Sequence, residues 1–182
     1  MTLPRGFKAE AERRAERVRS ELGRAPGAVV TARELAEHHR VIVVSAERLV
    51  ERARLEELER LQSFAFSAAT FEINGREVIV TNPLRSSERL ASDIAHELAH
   101  VLLKHNLSEV HELDGVPFRT CRPDEEEQAT SLGATLLLPR PLLLSAARAG
   151  ESLDTLASRC GVTPDLARYR WNTTGVGRQT SR

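Results

Sequence analysis

The stretch HELAHVLLKH, His96 to His105, sets two histidines four residues apart, with a glutamate directly after the first, in a run otherwise made of leucine, alanine and valine. On a helix, positions i and i+4 share one face a turn apart. His96 and His100 can therefore each aim a ring nitrogen at one point about 2.0–2.1 Å away, the reach of a zinc ion. Ile94, Leu98, Val101 and Leu102 form the apolar stripe of the same helix. Histidines and a glutamate buried beside that stripe without partners would carry a desolvation cost, and a metal accounts for both rings at once. A chance H-E-x-x-H at the end of an amphipathic stripe is the rival explanation, and it leaves that cost unmet. Glu97 projects to the side of the histidine face, where it can take a proton from an attacking water rather than bind the metal itself.

A catalytic zinc keeps three protein ligands and one open position. A metzincin would need a glycine three residues and a histidine six residues after His100, where this chain has Leu103 and Asn106. His105 is five residues beyond His100, and His111 lies in an acidic loop from which it could reach, though nothing fixes it there. The next helix offers Glu125, Glu126 and Glu127 in its first turn. Helix-terminus electrostatics and solvation explain two of the three, leaving one for the metal, and spacing does not say which. Asp93, one turn before His96, either helps orient a zinc histidine or is a plain helix-surface aspartate, the commoner case.

Around the motif, helical spacing runs from Phe7 to Leu22 with Gly23 as a stop. Thr31 and Glu34 form a capping box ahead of ARELAEHH, and Val41 to Val44 reads as a strand. Ser45 caps a charged helix to about Leu61. Asn74-Gly75 between FAFSAATFEI and REVIVTN is a strong hairpin signal. Ser86 or Ser87 caps the motif helix, which runs to about Lys104. Residues 105–122 read as loop, and Pro123 opens a helix ending near Pro139. LLLSAARA forms a short helix, and two more flank Cys160-Gly161-Val162, the second capped by Thr163 with Pro164 behind it. The ending GVGRQTSR is expected to fray. The fold class is α+β, a small and mostly antiparallel sheet packed against helices. Residues 1–149 form the main domain, 150–175 a helix-turn-helix-like pair packed on it, and 176–182 a flexible tail.

The chain of 182 residues supports one main core. With 26 basic and 26 acidic side chains it has no net charge and no general attraction to nucleic acid or anionic membranes. The balance is uneven, however: residues 109–127 hold seven acidic and two basic side chains, while 140–182 hold seven basic and three acidic. No stretch reaches the roughly 20 apolar residues of a membrane span, the N-terminus lacks a signal-peptide core, and the two cysteines, Cys121 and Cys160, are too few for a disulfide framework. A soluble, cytoplasmic protein is expected.

HELAHVLLKH, the block EEEQATSLGATLLLP and the ending VTPDLARYRWNTTG resemble the ImmA/IrrE-type zinc metallopeptidases, as does the N-terminal RGFKAEAERRAERVRSELG. Members of that family show H-E-L-G-H followed by a helix of the form E-x-x-A-N-x-F-A-x-x-L-L-M-P. The resemblance implies a zincin-like active-site helix and makes Glu126 the third zinc ligand, with His96 and His100. Ala129 falls on the alanine, and Thr130 falls where Asn or Asp is usual. Ala99, Leu132 and Leu138 depart from the pattern only in packing. Thr130 offers a weaker acceptor for a zinc-bound histidine's free N–H. The purpose it implies is a specific cut in a cognate helix-turn-helix repressor, in a stress response or as part of a toxin–antitoxin pair.

Two other readings remain at this point. One is a zinc protein that works by binding alone, as an antitoxin would. The other is a DNA-binding regulator using the C-terminal pair, with Arg168, Arg170 and Trp171 on or just after its second helix. Packing of that pair on the main domain, anchored by Tyr169 and Trp171, is favoured, because the chain is neutral and the arginines are few. A cleft bordered by the acidic 109–127 segment would draw in a basic substrate. Oligomeric state is not legible.

Overall fold

The computed structural model describes residues 3–63, 66–105, 110–113, 116–119 and 122–180, with the backbone alone over 110–119. It opens with α1 (Phe7–Glu21), α2 (Ala32–His38), β1 (Ile42–Ser45), a 3-10 turn (Ala46–Arg48) and α3 (Arg52–Leu61). A hairpin of β2 (Ala68–Ile73) and β3 (Arg76–Thr81) leads into α4 (Ser87–Leu103). Then come β4 (Val110–Leu113), β5 (Val116–Arg119), α5 (Pro123–Leu137) and α6 (Arg140–Arg148). The pair α7 (Leu153–Cys160) and α8 (Pro164–Thr174) precedes a last helix, α9 (Val176–Thr180).

The expected α+β architecture is what forms. β2 and β3 pair antiparallel across the Asn74-Gly75 turn, with Thr70 opposite Ile79. β1 joins the other side of β3 in parallel, so the three-stranded sheet is mixed, in the order β1-β3-β2. Parallel pairing needs a crossover, and α3 supplies it. The helix expected from Ser45 to Leu61 is divided: Ser45 caps only the 3-10 turn, and α3 restarts at Arg52. Within the stretch read as loop, Val110–Leu113 and Val116–Arg119 form the antiparallel pair β4–β5. The ending expected to fray is helical over Val176–Thr180, and Val176 is fully buried.

The core sits between α4, α5, α1 and the inner face of the sheet. Ile94, Leu98 and Ala99 of α4 meet Leu132 and Leu136 of α5, with Ile79 from β3 and Leu35 from α2. The two central helices approach closely at Gly133, where a Cβ would stand 2.6 Å from the Ala95 carbonyl oxygen. The Thr31–Glu34 capping box forms at α2 as its sequence suggests. Among the described residues no helix is long and apolar enough to cross a membrane.

Two buried arginines tie distant parts of the chain together. Arg19 is fully buried and donates to the carbonyls of Ala28, Ala15 and Leu137 at 2.8, 3.2 and 3.3 Å. Burial lowers its pKa to about 10, which leaves it charged at neutral pH. Arg19→Met keeps the bulk and removes the donors, so the carbonyls of Ala28 and Leu137 lose the guanidinium that satisfies them. The expected loss is about 2–4 kcal/mol, read as a lower urea midpoint with an unchanged slope. Arg170 of α8 donates to the Leu138 carbonyl at 3.0 Å and to Glu12 of α1 at 2.6 Å. The other oxygen of Glu12 accepts the backbone N–H of Arg140 at 2.9 Å.

Candidate metal centre

Ser86 caps α4 by accepting the Arg89 N–H, and the helix then runs unbroken through the motif to Lys104, whose φ of 55° turns the chain back. Four-residue spacing puts His96 and His100 on one face, and their Nε2 atoms lie 3.1 Å apart. α5 begins at Pro123, and its first turn points at this face. Glu126 brings Oε2 to 3.1 Å from His96 Nε2 and Oε1 to 3.4 Å from His100 Nε2. Glu125 turns aside to pair with Arg122 at 3.3 Å.

The donor set fits a metal. Ligand atoms held at about 2.0–2.1 Å from one ion with tetrahedral angles stand roughly 3.3–3.4 Å from each other. Here His96 Nε2 stands 3.1 Å from His100 Nε2 and 3.1 Å from Glu126 Oε2, while the other carboxylate oxygen, Oε1, stands 3.4 Å from His100 Nε2. His96, His100 and Glu126 are a group able to hold an ion.

The outer ring nitrogens are held too. His105 folds back under His100, with Nδ1 to Nδ1 at 2.9 Å. If His100 is to present a bare Nε2, its Nδ1 carries the proton and donates to His105. Burial lowers the pKa of His105, against the pull of nearby glutamates, and so favours the neutral ring that this acceptor role needs. Thr130 Oγ1 lies 3.4 Å from His96 Nδ1 and can serve that ring in the same way. Asp93 does not reach a histidine. It accepts from Ser67 Oγ at 2.6 Å and pairs with Arg89 at 2.9 Å, fastening α4 to the segment ahead of β2. His111 belongs to β4, but its side chain lies outside the described residues, as do those of Glu109, Glu112 and Asp114.

Glu97 faces the sheet edge. Thr70, fully buried on β2, donates its hydroxyl to Glu97 Oε2 at 2.7 Å. Sequence reasoning missed both Thr70 and the position of His105. A threonine in a strand carries no mark of its partner 27 positions away, whereas the i+5 spacing of His105 from His100 was a usable signal for a helix end that turns back.

Beside His96 opens a cleft of about 380 Å³, walled by α4, α5 and α8. Arg168, on α8, pairs with Asp165 at 3.3 Å. Trp171 packs against the core and Arg170 is buried, so these two residues face inward.

Two histidines a turn apart on a buried helix and a carboxylate from the facing helix form a group that could hold a metal ion, and Glu97 follows the first histidine on the same helix. The chain belongs to the family described as the IrrE N-terminal-like domain, a metallopeptidase family, whose model matches residues 33–172. The matched segment takes in β1 to β3, α4, α5 and most of α8. No curated protein matches the chain significantly.

Proposed function

We propose that the chain is a zinc-dependent regulatory endopeptidase that hydrolyses a peptide bond in one partner protein, a helix-turn-helix transcriptional repressor, in the cytoplasm. The observation that carries this reading is the triangle of His96, His100 and Glu126, with Glu97 held beside it by Thr70. In this reading residues 1–149 are the peptidase domain, and 150–175 a helical pair packed on it. Direct DNA contact is not part of it, because Arg170 is spent on Glu12 and Leu138.

His96, His100 and Glu126 would hold the ion, and two imidazoles with one carboxylate suit zinc. Zinc, when bound, supplies a Lewis acid for the scissile carbonyl and makes water more acidic. Glu97 takes the proton as the water oxygen bonds to the carbonyl carbon, then delivers it to the amide nitrogen as the C–N bond breaks. The Thr70 hydroxyl donates to Oε2, which fixes the direction of the carboxylate. His105 and Thr130 keep the inner nitrogens of His100 and His96 bare. β2 is the edge strand of its three-stranded sheet.

The test is a cleavage assay with the zinc-loaded protein and the helix-turn-helix proteins encoded near its gene. Glu97→Gln is expected to hold zinc within a few-fold of wild type and to lose about 10²–10⁴ in cleavage rate. Full cleavage by that variant would remove Glu97 from the mechanism. Tight complex formation by the wild type, with the partner left intact, would make the protein a binding partner in place of a peptidase.

A further inference from the structure

The cleft beside His96 has no part in the hydrolytic chemistry, yet the face that carries the candidate metal ligand opens into it. Ala134 of α5 with Leu166 and Tyr169 of α8 supply its apolar lining, beside the polar side chains of Ser92, Thr130 and Thr163. Among the described residues, the ion pair formed within its wall is closed on itself: Asp93 is taken by Arg89 and Ser67. Asp165 is different. Its side chain is 92% exposed, and its one ionic partner among the described residues, Arg168, is itself 60% exposed and lies outside the cleft lining. Exposed pairs of this kind contribute little and yield readily to a competing cation. A cleft with an apolar strip along α8 and an available carboxylate beside it suits a side chain that is apolar along its stem and cationic at its tip.

We propose that this cleft is a specificity subsite for an arginine or lysine side chain of the substrate next to the scissile bond. The stem lies on Leu166 and Tyr169, and the charged head reaches Asp165. Tyr169 offers its ring face to that cation as well. The volume of about 380 Å³ admits one such side chain with its hydration. Helix α8 is thereby a specificity element, with Asp165 and Tyr169 as its determining residues. The proposal rests on the metallopeptidase reading above.

The test is calorimetric binding of arginine, leucine and glutamate hydroxamates to the zinc-loaded full chain. Their shared chelating group reports the metal centre, while their side chains report the subsite. Arginine hydroxamate is expected to bind about five- to tenfold tighter than the leucine compound, with glutamate weakest. Asp165→Asn should erase the arginine advantage, Asp165→Lys should make glutamate the preferred side chain, and Tyr169→Ala should weaken arginine and leucine alike. Asp165 is a surface residue, so thermal melts of its variants should match wild type. Equal binding of all three compounds, or the same ranking in Asp165→Lys, overturns the subsite and leaves the metal centre standing. No binding of any hydroxamate, with no zinc retained, overturns the metal centre and the subsite with it.

Discussion

Replacing His100 with alanine is expected to lower zinc affinity by at least about a thousandfold, enough that the protein leaves a chelating column without metal. His100 is the most buried of the three candidate donors, its side chain only 7% exposed, so no water can take its place cheaply. Glu126→Ala should cost a comparable amount. The two changes nevertheless differ in their side effects. Losing His100 also strands His105, whose Nδ1 then faces a gap beside the core, and some stability should go with it. Losing Glu126, whose side chain is 38% exposed, should leave the metal-free protein as stable as before. His105→Phe provides the graded comparison: the donor triangle survives while the hydrogen bond that orients it is gone, and the expected cost is about 10–100-fold in zinc affinity. Competition with a coloured chelator measures all three. A Glu126→Ala protein that held zinc as tightly as wild type would put the third ligand elsewhere.

The second large effect is expected far from any donor. Gly133→Ala would ordinarily stabilise a helix by about 1 kcal/mol. Here the added methyl would stand 2.6 and 2.8 Å from the carbonyl oxygen and carbon of Ala95 and 3.0 Å from the backbone nitrogen of His96. These are backbone atoms of a packed helix and cannot rotate aside, so α5 must move off α4. Overpacking of this kind costs about 1–3 kcal/mol, which reverses the propensity gain, and Gly133→Val should cost more. Moving α5 also carries Glu126 away from the histidines, since it lies two turns earlier on the same helix. Zinc affinity should therefore fall about tenfold or more in Gly133→Ala, although no ligand has changed. A variant that is destabilised but keeps full zinc affinity would mean that α5 yields by bending between residues 126 and 133.

What the sequence displayed was local order. Cap residues, helix periodicity and the Asn74-Gly75 turn act within a few positions, and the elements they announced are present, save that the helix begun at Ser45 is divided. The motif helix was legible because its chemistry repeats with its own geometry. Elsewhere the reading failed where the cause was distant. The parallel pairing of β1 depends on β3, some 36 residues on, and a β-branched run looks alike in either orientation. The β4–β5 pair did carry a signal, Asp114-Gly115 between VHEL and VPFR, hidden by its charged surroundings. Val176 shows why a polar ending misleads: one buried valine is enough to dock α9. At the site, the choice of Glu126 among three adjacent glutamates came from family resemblance. It takes the docking of α5 on α4, fixed by Gly133, to see geometrically why the second of them faces the histidines.

The pair formed by Arg170 and Glu12 joins residues 158 positions apart in the chain, on α8 and α1. Synthesis runs from the N-terminus at about 5–20 residues per second, so Glu12 waits on the order of ten seconds for its partner. During that interval a nascent chain that has emerged through α5 already carries His96, His100 and Glu126, while the wall contributed by α8 is still to come. The candidate donors can therefore be in place before the cleft in time, and a half-made molecule on the ribosome has them without the wall that α8 adds.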